Sequence, residues 1–294
     1  MQGPPQLTFQ RRVLNKAKRM MGLAPVIEYP HTQGAYLNFN HIDLYYWRPL
    51  WTYEQNFGDH LSKIIVSKIL ADGECFLEEE TPESHRMFAI GSIMHVAKND
   101  EVIWGSGVHG NMKSEDHTFQ RLDVRAVRGP LTRKFLLNRG IQVPEVYGDP
   151  ALLLPHIFPH KFKPTSRMAY GVVPHHTEYE MFEAQNTPNL ISSMGSWNQI
   201  IHKILEADFV ISSSLHGLII AEAYGIPARY LRVTTNQDLF KYNDYMKGTG
   251  RGDIEYASSV EEALKMGGRP HLYLIISRCL IPFPGTCGER KRIR

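Results

Sequence analysis

Short apolar runs that end in small residues alternate along this chain with helix-length stretches, and that rhythm predicts strands joined by helices. His41–Trp47 (HIDLYYW) has the β-branched and aromatic content of a strand. Residues 57–70 place Leu61, Ile64, Ile65, Lys68 and Ile69 near one face of a helix. Further apolar runs stand at 87–92 (MFAIGS), 101–106 (EVIWGS), 122–128 (LDVRAVR) and 146–154 (VYGDPALLL), with a helix at 130–138 whose Pro130 suits a first turn. Residues 155–164 hold three prolines, two histidines and two lysines without periodicity, the composition of a linker. Strands are then expected at 168–173, 189–193, 208–212 and 228–233, and helices at 196–206, 214–224 and 238–247. The twice-run alternation predicts an α/β protein of two Rossmann-like domains, 36–160 and 161–294, facing across a cleft lined by strand carboxyl ends.

Composition narrows the class. With 294 residues and 43% apolar content the chain can bury two cores. No apolar run reaches the ~18 to 20 residues of a membrane span, and the first residues lack the layout of a secretory signal. Cys75, Cys279 and Cys287 are an odd number without a C-x-x-C pair, which points away from a disulfide framework and towards a reducing, cytoplasmic setting. The net charge of +3 is uneven: five cations precede residue 23 and a net +3 follows residue 287, leaving −5 for the body between them. An acidic body argues against nucleic acid as partner. Val13, Leu14, Ala17, Met20 and Met21 fall on one helical face opposite the cations, so the basic arm at 1–35 either contacts an anionic membrane through residues 11–23, docks on the body or stays loose.

Residues 208–227 (DFVISSSLHGLIIAEAYGIP) carry the strongest chemical signal. An apolar strand runs into Ser212, Ser213 and Ser214 and then a helix beginning at Leu215. Serines cap such a helix, and its free N–H groups and dipole favour an anion. His216 lies in the first turn, suited to phosphate contact or proton transfer, and Gly217 permits close backbone approach. Arg128 stands at a second strand-to-helix turn (VRGPLTR) with a planar fork for carboxylate or phosphate; Arg125, three residues earlier, is expected to point to the opposite side. Asp59, in NFGD after Gly58, either caps a helix or serves as a base, and Asp149, in GDP, either shapes a turn or does the same. WGSGVHG, with Ser106 and Gly107, reads as a glycine-rich strand exit open to a ligand. Adjacent His175 and His176 diverge if the segment is extended, and His156 and His160 span a proline, so no metal is called for.

In order, NFGDHLSKII (56–65), FAIGSIMH (88–95), VIWGSGVHG (102–110), VRGPLTR (127–133), YGDPALLLP (147–155), ISSSLHGLIIAEAYGIPA (211–228) and FKYNDYMKGTGR (240–251) resemble the polysaccharide pyruvyltransferase family, most of all its exopolysaccharide and capsule branch. The resemblance implies a GT-B-like pair of Rossmann-like domains, with the acceptor on the first and the donor on the second. It implies phosphoenolpyruvate as co-substrate with no further cofactor, and a ketal bridging two hydroxyls of a hexose such as galactose, glucose or mannose. The acceptor would be a lipid-linked oligosaccharide at the inner face of the membrane. His216 and Arg128 would serve the donor, His216 as acid or phosphate partner, with Asp59 or Asp149 as base. Gly58, Ser106, Gly107, the serines, Leu215, Gly217 and Arg251 would line the substrates. Many relatives have arginine where this chain has Ser214; Arg229, Arg232, Lys241 or Arg251 would then have to supply the charge. A nucleotide-sugar glycosyltransferase is the alternative enzyme, and a non-catalytic carbohydrate-binding protein using Tyr45, Tyr46, Trp47, Trp51 and Tyr53 is a third reading.

Overall fold

The computed structural model describes residues 35–39, 42–49, 54–75, 85–235 and 238–268. The amphipathic arm, the basic tail, Trp51, Tyr53, Cys279 and Cys287 lie outside these residues. The protein is α/β with two sheets. In the first, β1 (Ala35–Phe39), β2 (Ile42–Tyr46), β3 (His85–Phe88), β4 (Glu101–Trp104) and β5 (Leu122–Ala126) lie in sequence order, parallel except for the β1–β2 hairpin at one edge. The second joins β6 (Gly171–Val173), β7 (Val210–Ser212), β8 (Ala228–Leu231) and β9 (Tyr256–Ala257), all parallel. Every residue of β4, β6, β7 and β8 is buried, as parallel strands covered on both faces require.

The helices are α1 (Phe57–Asp72), α2 (Pro130–Leu137), α3 (Leu154–Ile157), α4 (Tyr179–Ala184), α5 (Trp197–Ile204), α6 (Leu215–Ala223), α7 (Phe240–Gly248) and α8 (Val260–Met266). Two segments differ from their sequence reading. Residues 146–154 are not a strand: Tyr147 makes one bridge to Val127, and Asp149 then caps a 3-10 turn over Pro150–Leu153. Pro150 and Pro155 lack the N–H that a continuing ladder needs. Residues 189–193 likewise make a single bridge, Leu190 to Val172. The proline-rich segment 155–164 is held in place rather than free, because Phe158 and Phe162 pack on Trp197 and Phe162 is buried.

One hydrophobic cluster runs through both halves, from Leu44, Phe57 and Leu61 to Val173, Ile219 and Tyr245. Backbone bonds also join them at the start of α1: Phe57 N–H to Ser193 O (3.0 Å), Gly195 N–H to Gln55 O (2.9 Å), and the antiparallel Asn56–Met194 bridge. Asp59 and His216, 157 residues apart in sequence, are thereby brought to one place. No helix among the described residues is long and apolar enough to cross a membrane.

Candidate active site

The site is built where the amino-terminal ends of α1 and α6 meet. Asn56, not Asp59, caps α1: its Oδ1 accepts the N–H groups of Gly58 (3.0 Å) and Asp59 (3.3 Å), leaving the Asp59 carboxyl for other work. Ser62 ties α1 to the exit of β3 by accepting the Ile90 N–H at 2.9 Å. Gly91, at φ +110°, then carries the chain past Asp59 so closely that a Cβ there would lie 3.0 Å from Asp59 Oδ1. Asp59 is partly exposed, whereas Asp149 is buried.

The serine turn behaves as its sequence suggests. Ser214 caps α6 through the Gly217 N–H (3.4 Å), and Ser212 Oγ donates to Val173 O (2.7 Å) and accepts the Ser214 N–H (3.0 Å). Ser213 Oγ donates to the buried Glu178, which Thr234 also reaches. Gly217 has a packing reason: a Cβ there would lie 2.3 Å from Ser212 Oγ. The close approach is to the protein's own strand. Leu215 sits in the core.

His216 projects from this turn onto Gly58. A Cβ at position 58 would fall 2.1 Å from His216 Nδ1, so the glycine is what lets the imidazole enter. On its other side Nε2, buried and without a hydrogen bond, lies 3.6 Å from Asp149 Oδ2. Asp149 spends Oδ1 on the Ala151 N–H (2.9 Å). Burial pushes the Asp59 carboxyl up to about 6, against the pull of His216 and Lys241 and with the nearby Asp149 charge adding to the rise. A carboxyl so placed exchanges a proton near neutrality. In an ordinary helix Gly→Ala stabilises by up to ~1 kcal/mol, but here Gly58→Ala must displace an imidazole. The variant is expected to lose ~1–3 kcal/mol in denaturant unfolding and to lose activity as well.

Arg128 is buried, whereas Arg125 is exposed and pairs with Asp123 at 2.7 Å, so the two do point apart. The Arg128 guanidinium donates from Nε to Asp244 Oδ2 (3.2 Å), from Nη1 to Ser92 Oγ (2.6 Å) and from Nη2 to Val108 O (2.8 Å). The glycine-rich exit of β4 serves this arrangement. A Cβ at Gly107 would lie 2.4 Å from the guanidinium carbon, and Ser106 donates to Gly91 O (2.9 Å). The open space expected for a ligand there is filled by Arg128.

Of the four cations considered as substitutes at Ser214, Arg251 is held by both oxygens of Glu222 (2.7 and 2.9 Å) at the far end of α6. Arg229 pairs with Glu255 and Gly267 O, and Arg232 lies over Tyr256. Lys241 is instead buried, its Nζ over the Tyr242 ring at 5.1 Å from the centroid, within electrostatic reach of Asp59, Arg128 and Glu178. His109, His175 and His176 also feel its charge; burial, then neighbouring positive charge, holds His109 down to about 3 and His176 to about 4. His175 and His176 do not diverge: the chain turns from His176 on after β6, and their rings lie with centroids 4.3 Å apart, tilted by 34°. Lys241 was among the cations the sequence offered in place of Ser214 and His175 and His176 were weighed only for a metal, whereas Asp244, Glu178 and His109 were not singled out by sequence reasoning. The signal for Asp244 was its three-residue spacing from Lys241 within FKYNDYMK.

The site thus gathers two carboxyls, an imidazole, a helix amino terminus and buried cations, the groups that an anionic donor and a hydroxyl acceptor need. Residues 38–234, more than half of the chain, match the family model for polysaccharide pyruvyl transferase. The chain belongs to the polysaccharide pyruvyl transferase family. An uncharacterized protein of Acanthamoeba polyphaga mimivirus is 25% identical over 214 residues, covering 66% of this chain and 71% of that protein. The succinoglycan biosynthesis protein ExoV of Rhizobium meliloti is 25% identical over 219 residues, covering 70% of this chain and 64% of ExoV, slightly under two thirds of its length. No solved structure matches the chain. For the family, the matched span takes in Asp59, Arg128, Asp149 and His216, while Lys241 and Asp244 lie beyond it.

Proposed function

We propose that this protein transfers the three-carbon unit of phosphoenolpyruvate onto two hydroxyls of a hexose in a polysaccharide precursor, forming a pyruvate ketal and releasing phosphate. The observation that carries the reading is the convergence of Asp59, Asp149 and His216 at the amino-terminal ends of α1 and α6. In the reaction, His216 gives a proton to the methylene carbon of the enol ester, which becomes a methyl group and leaves oxocarbenium character at the neighbouring carbon. One sugar hydroxyl attacks that carbon as Asp59 accepts its proton. Phosphate departs with the electrons of its C–O bond, and the second hydroxyl closes the ring and returns a proton to the imidazole of His216, while Asp59 passes its proton to the departing phosphate. Asp149, buried and already committed to the Ala151 N–H, acts as the partner that orients His216 rather than as the base.

The donor's anionic groups lie towards the α6 amino terminus, on the side of the second sheet, with Arg128 reaching across from the turn after β5, and the acceptor lies towards the first sheet in a GT-B-like plan. A lipid-linked oligosaccharide as acceptor would give the basic arm a membrane-peripheral role. The test is incubation with phosphoenolpyruvate and a panel of β-galactosides, glucosides and mannosides, reading phosphate release and pyruvyl adducts by mass. Adduct formation is expected; binding of UDP or GDP with no affinity for phosphoenolpyruvate would instead identify a glycosyltransferase.

A further inference from the structure

We propose that Lys241 is a donor-binding residue of this site, presented to the anionic end of the enol ester by α7. The inference rests on the pyruvyl-transfer reading and deepens it.

The placement of α7 is the first argument. Its Asp244 carboxylate, fully buried, accepts four hydrogen bonds from the turn that carries Arg128: the N–H groups of Leu131 (2.9 Å) and Thr132 (2.9 Å), the Thr132 hydroxyl (2.6 Å) and Arg128 Nε (3.2 Å). The backbones meet without side chains between them. A Cβ at Gly129 would lie 1.8 Å from Asp244 O, and one at Gly248 would lie 2.3 Å from Arg128 O. Asp244 therefore caps α2 from another helix and fixes α7 against the first sheet. Lys241, three residues earlier on the same face, is carried to a set position.

Charge is the second argument. Arg128 has Asp244 as its partner and donates three of its N–H bonds to protein. Ser214 caps α6 without bringing a charge. The imidazoles of His109, His175 and His176 are held neutral at pH 7. Lys241 lies within electrostatic reach of Asp59 of α1, Arg128, Glu178 and these three imidazoles, its Nζ stands over the Tyr242 ring at 5.1 Å from the centroid, and Glu178 accepts the hydroxyls of Ser213 and Thr234. A phosphate or carboxylate entering beside Asp59 would find in Lys241 the ammonium that makes its burial tolerable.

Burial, then the neighbouring Arg128, lowers the Lys241 ammonium to about 8. Donor binding should therefore weaken as pH rises through about 8, because the ammonium is lost; the Asp59 carboxyl at about 6 gives a separate acidic limb, and the three imidazoles stay neutral between the two. The experiment is calorimetric titration of the full chain with phosphoenolpyruvate, inorganic phosphate and UDP across this range, for wild type, Lys241→Met and Lys241→Arg. Lys241→Met is expected to weaken phosphoenolpyruvate and phosphate binding ~10- to 100-fold, as loss of one charge-assisted hydrogen bond predicts, and to abolish the basic limb. Lys241→Arg is expected to keep binding and move that limb upward, since guanidinium stays charged. Equal affinity of Lys241→Met and wild type would overturn the proposal. Should Lys241→Met fail to fold, an unmoved basic limb in Lys241→Arg overturns it. A wild-type protein that binds UDP but neither phosphoenolpyruvate nor phosphate would remove the pyruvyl-transfer reading itself.

Discussion

Replacing Asp59 by asparagine is expected to lower turnover ~10²- to 10⁴-fold with the fold intact, the usual contribution of a general base. The cap of α1 is Asn56, so the substitution spares the helix start, and the amide fills the same volume beside Gly91. The pH dependence supplies the sign. A base must be deprotonated, so wild-type kcat/KM should rise with pH through about 6, the position to which burial lifts the Asp59 carboxyl. Asp59→Asn should lose that acidic limb together with the rate. His216→Ala should cost a comparable factor, and the double variant scarcely more, because groups that move protons in one event act as a unit. Phosphate release by folded Asp59→Asn at near wild-type rate, with the limb retained, would assign the limb elsewhere.

Asp244→Ala should destabilise the protein by ~3–5 kcal/mol, the cost of leaving a buried charge without its partner. Both members of the Arg128–Asp244 pair are buried to within 1%. Four donors converge on this carboxylate, two of them the first N–H groups of α2, so the loss falls on the helix start as well as on the guanidinium. The double variant Arg128→Met with Asp244→Leu should lose less than the sum of the single changes, since it removes both charges from the low-dielectric interior. Urea unfolding of the three variants measures this, and additive losses would show that the two residues act independently.

Much of the fold is legible from periodicity, because parallel strands with both faces covered are continuous apolar runs and the helices between them are amphipathic. The strand before the serines and the helix after them came out as β7 and α6 within two residues of their expected ends. What periodicity does not carry is short or edge structure: among the described residues β1 pairs with its hairpin neighbour alone, and β9 has two residues. Within the site, His216 and Arg128 stand in recognisable turn motifs, whereas Asp244 acts 116 residues from Arg128 across a helix contact that no local pattern encodes. The glycines mislead for a physical reason. A glycine marks close approach without saying to what, and at 58, 107 and 217 the neighbour is the protein's own His216, Arg128 and Ser212 rather than a ligand.

The central claim is that one anionic enol ester is held and protonated where α1, α6 and α7 meet. A crystal structure of the protein with phosphoenolpyruvate measures it most directly. The ester's methylene carbon is expected beside His216, with Asp59 on the open side. Ester bound away from residues 59, 149 and 216 would contradict it.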